Sequence, residues 1–459
     1  MNHLVSTIPE LPAMRRYFES GVTRSYAFRR QQLISLRRAL MNNEDAIYKA
    51  LYADLRKGPE EAYATETGIV LTEIRVALKN LRRWMRPSAA RTNLLNFPSS
   101  GRIYHDPLGL VLIIAPWNYP IQLLLTPLVG AIAGGNGVVL KPSEMAPATA
   151  SILGRIIQEA FPPEYITLVQ GDGAEVVPAL LNGFHFDHVF YTGSTEVGKQ
   201  IYQLAAKDLV PVTLELGGKS PAVIHLDANL EVAARRIVMG KFINAGQTCV
   251  APDYLLVHHA IRDRFLELLQ KTINQFFGDK PAGNDGYGRI VHAKRFDRLL
   301  SYLSEGEIII GGDYDRADLF MAPTVMDNVP LDSGLMTEEI FGPILPVYGF
   351  DTVEEAVELI KRNPNPLAFY VFTEGDPKAW VEQLAFGGGC VNNTLWHLAN
   401  HYLPFGGIGG SGIGAYHGRY SFETFTHAKP VMRSPVWFDP GIKYPPFAGK
   451  LKWFKRMIR

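Results

Sequence analysis

Residues 110–144 read LVLIIAPWNYPIQLLLTPLVGAIAGGNGVVLKPSE, and this stretch decides the fold. It lies in the most apolar part of the chain, 109–140, but prolines and polar residues interrupt it: Pro116, Asn118, Pro120, Gln122 and Pro127. Such interruptions argue against a membrane-spanning helix. The runs LVLIIA and VVLK flank a segment of helical length that opens at Pro120. The stretch therefore predicts a strand, a helix and a second strand.

The same alternation continues through most of the remaining chain. After VVLK come a helix over 152–160, the runs ITLVQ and HVFYTG, a helix from Thr195 and the run VTLEL. A second series starts with PAVIHL and includes DYLLVHH, GPILPVYGF, LAFYVFT and CVNNT. Strands that alternate with helices predict parallel sheets covered on both faces. We expect two α/β domains whose ligand-carrying loops meet at the C-terminal ends of the strands.

Length and composition exclude several classes of protein. The 459 residues exceed what one hydrophobic core usually organises. Lys and Arg number 46 against 45 Asp and Glu, so no basic field for nucleic acid is present. Two cysteines are too few for a disulfide framework, and Pro9 and Pro12 fall where a signal peptide needs an apolar core. These features predict a cytoplasmic protein.

The two ends of the chain predict peripheral elements. Residues 17–55 and 61–85 have helical spacing, whereas 89–104 is rich in Asn, Ser, Pro and Gly and suits an exposed hairpin or arm. The ending KLKWFKRMIR, drawn as a helix, has an apolar arc opposite a basic one. We leave two interpretations open: docking on this fold or a second subunit, or peripheral contact with an anionic membrane.

The strongest local signal for chemistry is NAGQTCVAPDY at 244–254, where Cys249 sits among small and polar residues. A lone cysteine is more often a small core residue than a nucleophile. Cys390, at the start of an apolar run with no acid or base beside it, fits that core interpretation. Cys249 is the better candidate for a reactive thiol.

A candidate base lies in LELGGKSP at 214–221, where Glu215 ends an apolar run just before two glycines. Partial burial raises the pKa of a carboxyl group and enables it to deprotonate water near neutral pH. From these residues alone, an ion pair between Glu215 and Lys219 is an equally good interpretation.

The motifs LELGGKSP and GQTC, with Glu215 and Cys249 34 positions apart, resemble those of the aldehyde dehydrogenase superfamily. The resemblance extends over most of the chain, in the family's order, through APWNYP, GGNGVVLKPSE, YTGSTEVG, EEIFGPILPV and PFGGIGGSGIGAYHG. The short N-terminus, APWNYP and the ending SGIGAYHGRYSFETFTH resemble the class 3 branch of fatty and aromatic aldehyde dehydrogenases. The implied fold has a Rossmann-type cofactor domain, an α/β catalytic domain and a small oligomerisation element.

The resemblance implies a role for three catalytic residues. Cys249 would attack the aldehyde to form a thiohemiacetal, and Asn118 would donate to the oxyanion. After hydride transfer to the nicotinamide, Glu215 would activate the water that hydrolyses the thioester, so the product would be a free carboxylic acid.

The resemblance also implies a nicotinamide cofactor, although GSTEVG departs from the usual GxGxxG spacing. The implied cofactor contacts, from the phosphates and adenine ribose to the nicotinamide, are Gly193, Ser194, Gly198, Lys141, Glu144, Glu339 and Phe341. For the glycines, tight packing of helix on strand is an equally valid role. Glu144 can accept both ribose hydroxyls of NAD and repels a 2′-phosphate, so NAD is the expected cofactor, with NADP as an alternative.

An apolar funnel around the thiol is expected, and it suits medium or long aliphatic aldehydes and aromatic aldehydes. Its implied lining residues are Tyr63, Tyr119, Leu123, Thr248, Trp396 and Phe405. For all of these except Tyr119, an ordinary core role competes. His397 and His401 lack a third ligand at useful spacing, so no metal is predicted.

The implied organisation has three parts. Residues 1–88 and 105–217 would form the NAD(P)-binding domain, 218–420 the catalytic domain, and 89–104 with 421–459 the oligomerisation arm and tail. The class 3 resemblance implies a homodimer. Two rival functions are a thiol esterase that uses Cys249 and Glu215 without a cofactor, and a former enzyme that now serves as a binding or structural protein.

Overall fold

The structure is a computed structural model that describes residues 10–284 and 286–458. Its strands, in chain order, are β1 (Ser88–Ala90), β2 (Ser100–Pro107), β3 (Leu110–Ile114), β4 (Gly137–Lys141), β5 (Ile166–Leu168), β6 (His188–Thr192), β7 (Val212–Glu215), β8 (Pro221–Ile224), β9 (Tyr254–His258), β10 (Glu307–Ile310), β11 (Tyr314–Asp315), β12 (Phe320–Met321), β13 (Thr324–Asp327), β14 (Ile344–Phe350), β15 (Ala368–Phe372), β16 (Gly388–Val391), β17 (Gly412–Ile413) and β18 (Thr426–Arg433).

The helices cover these sheets and fill the N-terminal region. The α-helices are α1 (Glu10–Glu19), α2 (Tyr26–Asn42), α3 (Glu44–Leu55), α4 (Pro59–Ala62), α5 (Gly68–Trp84), α6 (Pro120–Gly134), α7 (Pro147–Ala160), α8 (Gly173–Gly183), α9 (Thr195–Ala206), α10 (Leu230–Phe242), α11 (Arg262–Phe277), α12 (Ala293–Tyr302), α13 (Gly334–Thr337), α14 (Val353–Lys361), α15 (Lys378–Val381), α16 (Arg419–Thr424) and α17 (Leu451–Met457). A π-turn, Tyr63–Thr67, joins α4 to α5, and the 3₁₀ turns are Val22–Arg24, Leu94–Asn96, Ile243–Gly246, His259–Ile261, Pro281–Gly283, Gly409–Ser411 and Gly441–Lys443.

Two large sheets confirm the predicted α/β fold. The first has the order β17-β7-β6-β3-β4-β5 and is parallel except for β17. The second has the order β10-β13-β14-β9-β8-β15-β16 and is parallel except for β10. A three-stranded antiparallel sheet of β1, β2 and β18 contains the two ends of the predicted arm, and β11 pairs with β12.

The stretch 110–144 forms the predicted strand, helix and strand, with β3 paired in parallel to β4. Every residue of α6 is buried, which explains why its sequence is apolar on all sides rather than on one face. The helix packs closely on α16: a Cβ at Gly130 would lie 2.6 Å from Cβ of Ser421. This apolar stretch is therefore a central part of the core beside the first sheet.

The N-terminal helical region is more divided than the sequence pattern indicates. Residues 17–55 span the end of α1 and two further helices, because Gly21 adopts a left-handed φ of 78° and Asn43 separates α2 from α3. Among residues 10–284 and 286–458, no helix is long and apolar enough to cross a membrane.

Candidate active site

Cys249 lies on a loop that follows α10 and a sharply bent turn. Asn244 and Ala245 in this turn have left-handed φ values of 52° and 50°. The Gln247 side chain fixes the loop: its Nε2 donates to the Arg289 carbonyl at 2.9 Å. On the other side of the thiol, the Tyr370 hydroxyl donates to the Val250 carbonyl at 2.7 Å. The loop that carries Cys249 is therefore held from both sides.

The Cys249 thiol is free and partly buried. Burial, together with the carboxyl groups of Glu339 and Glu215, raises the pKa of this thiol to about 12. The thiol is therefore protonated at neutral pH in the protein alone, and its reaction requires a base or an added positive charge.

Glu215 ends β7 and is 2% exposed. Neither of its carboxylate oxygens has a hydrogen-bond partner within the described chain. Burial raises the pKa of Glu215 well above its ordinary value. The alternative ion pair with Lys219 is not formed, because Nζ of Lys219 lies 2.5 Å from Oδ2 of Asp253. Glu215 is thus available to take up a proton.

Asn118 lies just before α6 and is 2% exposed. Its Nδ2 donates to the Gln247 carbonyl at 3.0 Å, which brings the side-chain amide to the nucleophile loop. An amide nitrogen carries two hydrogens, so a second donor remains. Lys57 and Asn244 both donate to the Asn118 backbone carbonyl, at 2.7 and 2.9 Å. The position of Asn118 therefore depends on residues that are far from it in the sequence.

The sequence analysis missed a buried ion pair beside Asn118. Nζ of Lys57 lies 2.7 Å from Oε1 of Glu66, and both side chains are 0% exposed. The other oxygen of Glu66 accepts the backbone N–H groups of Ile121 and Gln122, in the first turn of α6. A carboxylate at a helix N-terminus is favourable. No sequence motif predicts this pair, because Lys57 and Glu66 contact Asn118 and α6 only when α6 packs against the π-turn.

The pocket around the thiol has a volume of about 240 Å³ and is lined mainly by apolar side chains. Cys249 and Glu215 both line it, as do five residues predicted for the substrate: Tyr119, Leu123, Thr248, Trp396 and Phe405. The hydroxyls of Tyr119 and Thr248 are 2.6 Å apart, and Lys57 lies over the Tyr119 ring. Tyr63 is 50% exposed and lines an adjacent cavity instead.

The predicted ribose contacts form a close pair at the end of β4. Nζ of Lys141 donates to Oε2 of Glu144 at 2.5 Å, and Lys141 is buried. Burial alone would raise the pKa of Glu144, but the hydrogen bond and charge of Lys141, together with hydrogen bonds from the backbone of Glu144 and Gly173, lower it overall. Glu144 therefore carries a negative charge at neutral pH.

The predicted phosphate contacts lie at the start of α9. Ser194 caps this helix, and its side chain accepts the N–H of Val197. The N–H of Gly193 donates to the Glu215 carbonyl at 2.9 Å and is thus already used within the protein. A Cβ at Gly198 would lie 2.6 Å from Cδ2 of Leu216, so this glycine allows α9 to pack against the chain after β7.

The predicted nicotinamide contacts lie on the turn before β14. The Glu339 carboxylate packs against Gly217: a Cβ there would lie 1.9 Å from its Oε2. Burial and the nearby Asp253 raise the pKa of Glu339 to about 8. Phe341 adopts a φ of 48° and packs edge-on against Trp117 at 5.4 Å. Both residues therefore lie beside the loops that carry Cys249 and Asn118.

No group of three or more His, Cys, Asp or Glu side chains in the described chain could hold a metal ion. Nδ1 of His397 lies 3.6 Å from Sγ of Cys390, and the His397 ring stacks on Phe405. His401 packs on Tyr402. Both histidines thus have packing contacts.

Sequence comparison gives the family of this chain. The aldehyde dehydrogenase family matches residues 11–431. The chain is 45% identical over 449 residues to 4,4'-diaponeurosporen-aldehyde dehydrogenase of Staphylococcus aureus, with 97% of each chain covered. It is 41% identical over 441 residues to a dimeric, NADP-preferring aldehyde dehydrogenase of Canis lupus familiaris, with 95% of this chain and 97% of that protein covered.

Structural comparison also finds aldehyde dehydrogenases. The substrate-bound state of Staphylococcus aureus AldH superimposes with a TM-score of 0.95 at 45% identity, covering 98% of this chain and 99% of that one. Structures with bound NAD⁺ are also among the matches. The fold and these matches define an NAD(P)-dependent oxidoreductase. The chain belongs to the aldehyde dehydrogenase family and is an NAD(P)-dependent enzyme that oxidises aldehydes to carboxylic acids.

Lys57→Met tests the buried ion pair. The substitution leaves Glu66 without its cation, so we expect a loss of about 3–5 kcal/mol in the free energy of unfolding. We also expect lower kcat/KM, because the Asn118 carbonyl loses a donor. Calorimetric melting and steady-state kinetics measure both effects. Lys199→Met is the control, since Lys199 pairs with Glu196 on the surface, where ion pairs contribute about 0–1 kcal/mol. Equal melting temperatures for the two variants would contradict the account.

Proposed function

We propose that Cys249 is the nucleophile, Glu215 the general base and Asn118 the oxyanion donor of this aldehyde dehydrogenase. One observation carries the proposal: the only thiol in the apolar pocket shares that pocket with a buried carboxyl group whose two oxygens lack partners within the described chain. Burying a carboxyl group without hydrogen-bond partners costs stability. The presence of such a group in a pocket therefore points to a functional role.

The first step is attack by sulfur on the aldehyde carbon. A thiol with a pKa of about 12 must lose its proton for this step, and that proton passes to solvent, which leaves Glu215 able to accept one later. The free hydrogen of the Asn118 amide and the backbone N–H of Cys249 then donate to the oxyanion of the thiohemiacetal. When bound, the nicotinamide cofactor supplies an acceptor for the hydride that leaves this carbon.

The second step is hydrolysis of the thioester that remains on Cys249. Glu215 removes a proton from water, and the resulting hydroxide attacks the thioester carbon. The C–S bond breaks, the sulfur leaves as a thiolate and a carboxylic acid is released. The raised pKa of Glu215 suits this role, because a carboxyl group with an ordinary pKa is too weak a base at neutral pH.

The chemistry of the pocket supports medium or long aliphatic aldehydes and aromatic aldehydes as substrates. No lysine or arginine is among the described residues that line it, so an anionic or phosphorylated aldehyde has no counter-charge there. Leu123, Phe405 and Trp396 offer apolar and aromatic surface to a hydrocarbon chain.

We propose NAD as the preferred cofactor. The residues present fit a dinucleotide: Lys141 and Glu144 would hold the adenine ribose, Ser194 and the start of α9 the phosphates, and Glu339 and Phe341 the nicotinamide end. The charge on Glu144 disfavours a 2′-phosphate, although Lys141 beside it leaves NADP as an alternative.

The assembly proposed for this chain is a homodimer, with the arm 89–104 and the residues after 420 as its contacts. Strand β18 is an edge strand that is exposed from its second residue onward, and Leu94 and Phe97 in the arm are 80% and 65% exposed. An unpaired edge beside exposed apolar side chains suits a second subunit. We also propose the domain limits that are expected from the sequence. The proposed location of the protein is the cytoplasm.

Cys249→Ala should abolish NAD(P)-dependent oxidation of straight-chain aldehydes and benzaldehyde, because no thiohemiacetal can form. The matched control is Cys390→Ala, which removes the other thiol. The absorbance of the reduced nicotinamide measures both rates. If Cys249→Ala keeps its activity, Cys249 is not the nucleophile. If the wild-type enzyme reduces neither cofactor but hydrolyses activated esters, the esterase alternative replaces the dehydrogenase.

Glu215→Gln should slow release of the acid far more than formation of the reduced cofactor, because glutamine cannot deprotonate water. We expect a burst of about one reduced nicotinamide per active site, followed by a steady rate at least about 10²-fold below the wild-type rate. Stopped-flow absorbance measures both phases. An unchanged steady rate would remove Glu215 from the hydrolytic step.

The C-terminal helix α17 is the proposed site of peripheral membrane contact. Its Leu451 and Trp453 are 64% and 57% exposed, with Lys452, Lys455 and Arg456 beside them. Deleting residues 451–459 should reduce sedimentation with vesicles rich in phosphatidylserine, whereas vesicles of phosphatidylcholine should bind weakly with or without the tail. If sedimentation with the anionic vesicles is unchanged, the tail has a structural role, docked on this fold or on a second subunit.

A further inference from the structure

A second cavity, of about 230 Å³, adjoins the pocket that contains the thiol. Five residues line both cavities: Ala64, Ile69, Leu398, Ala399 and His417. The two cavities thus have a wall in common, and a substrate chain that extends from Cys249 past this wall would reach the second cavity. The second cavity differs from the apolar pocket around the thiol because buried polar side chains line it.

Three polar groups of the second cavity are buried. Thr126, on α6, is 1% exposed and His417 is 4% exposed. The Thr126 hydroxyl and Nε2 of His417 have no hydrogen-bond partner in the part of the chain described. Glu73, on α5, is 5% exposed and accepts the N–H of Gly418 with one oxygen at 2.6 Å. Buried polar groups without partners cost stability, so their presence together points to a ligand that completes their hydrogen bonds.

The charge in the second cavity defines that ligand. Burial raises the pKa of Glu73 to about 7 and lowers the pKa of His417 to about 4. At neutral pH the histidine is therefore uncharged, and Glu73 is divided between its acid and its anion. An anionic ligand would meet no full positive charge from these groups and partial repulsion from Glu73. A neutral hydroxyl can both donate and accept, as the three groups require.

We propose that the second cavity is a subsite for a neutral hydroxyl group at the far end of an aldehyde substrate, bound by Thr126, Glu73 and His417. This inference rests on the aldehyde oxidation proposed above. It extends the substrate class to hydroxyaldehydes whose hydrocarbon chain fills the apolar pocket and whose hydroxyl reaches the polar cavity. A matching alkanal would leave the three polar groups without that partner.

The test compares two substrate series with the purified full-length enzyme and NAD. Straight-chain alkanals and ω-hydroxyalkanals with the same number of carbons are assayed over a range of chain lengths. The ratio of kcat/KM for the hydroxyalkanal to that for the alkanal should pass through a maximum at one length, where it reaches about threefold to tenfold. A ratio at or below one at every length would overturn the subsite.

Two conservative variants show whether this cavity is responsible. Thr126→Val keeps the shape of the side chain without its hydroxyl, and Glu73→Gln keeps an acceptor for Gly418. Both should move the maximum ratio towards one. Thr67→Val is the matched control, because Thr67 is also buried, its hydroxyl has no partner among the described residues, and it lines neither cavity. It should keep the wild-type ratio.

The outcomes separate this subsite from the proposed function. If alkanals are oxidised but Thr126→Val and Glu73→Gln both keep the preference for hydroxyalkanals, the cavity binds only water and the subsite is wrong. If no alkanal reduces NAD or NADP, the proposed function itself fails. Melting temperatures of all three variants close to that of the wild type exclude general loss of structure as the cause of a changed ratio.

Discussion

The ion pair between Lys57 and Glu66 is the contact on which the geometry of the site depends. It has no solvent exposure, and it lies where the N-terminal helices, α6 and the nucleophile loop meet. Glu66 accepts two N–H groups at the start of α6, while Lys57 donates to the carbonyl of Asn118. One cation and one carboxylate thus fix Asn118, the residue proposed as the oxyanion donor. Burying two charges is costly, and these additional hydrogen bonds offset that cost.

The second constraint is the burial of Glu215 without a hydrogen-bond partner among residues 10–284 and 286–458. The strand end that carries it is held by its carbonyl, which accepts the N–H of Gly193, and by pairing with β17. Lys219 could have neutralised the carboxylate but is directed to Asp253 instead. The same arrangement that leaves Glu215 with a raised pKa therefore joins the start of α9 to the pocket around Cys249 through adjacent residues of one strand and turn.

The sequence predicted those parts of the structure that local patterns encode. The strand, helix and strand of 110–144 follow from apolar runs punctuated by prolines, and the family motifs indicated Cys249, Glu215 and Asn118, which the structure brings together. The other features of the site depend on packing between residues that are distant in the sequence. The Lys57–Glu66 pair has no pattern of its own. The lining of the funnel was only partly predictable, because an apolar residue such as Leu123 looks the same in a core and in a pocket. Tyr63 was predicted for the substrate funnel, yet the π-turn places it on the neighbouring cavity.

The central claim is that the acyl group is carried on Cys249 and released by Glu215. Its most direct test is the intact mass of Glu215→Gln after mixing with NAD and a medium-chain aldehyde, followed by peptide mapping. The account predicts a mass increase equal to the acyl group, less one hydrogen, on the peptide that contains Cys249. An adduct on the peptide of Cys390, or reduced cofactor formed in full turnover with no adduct, would contradict it.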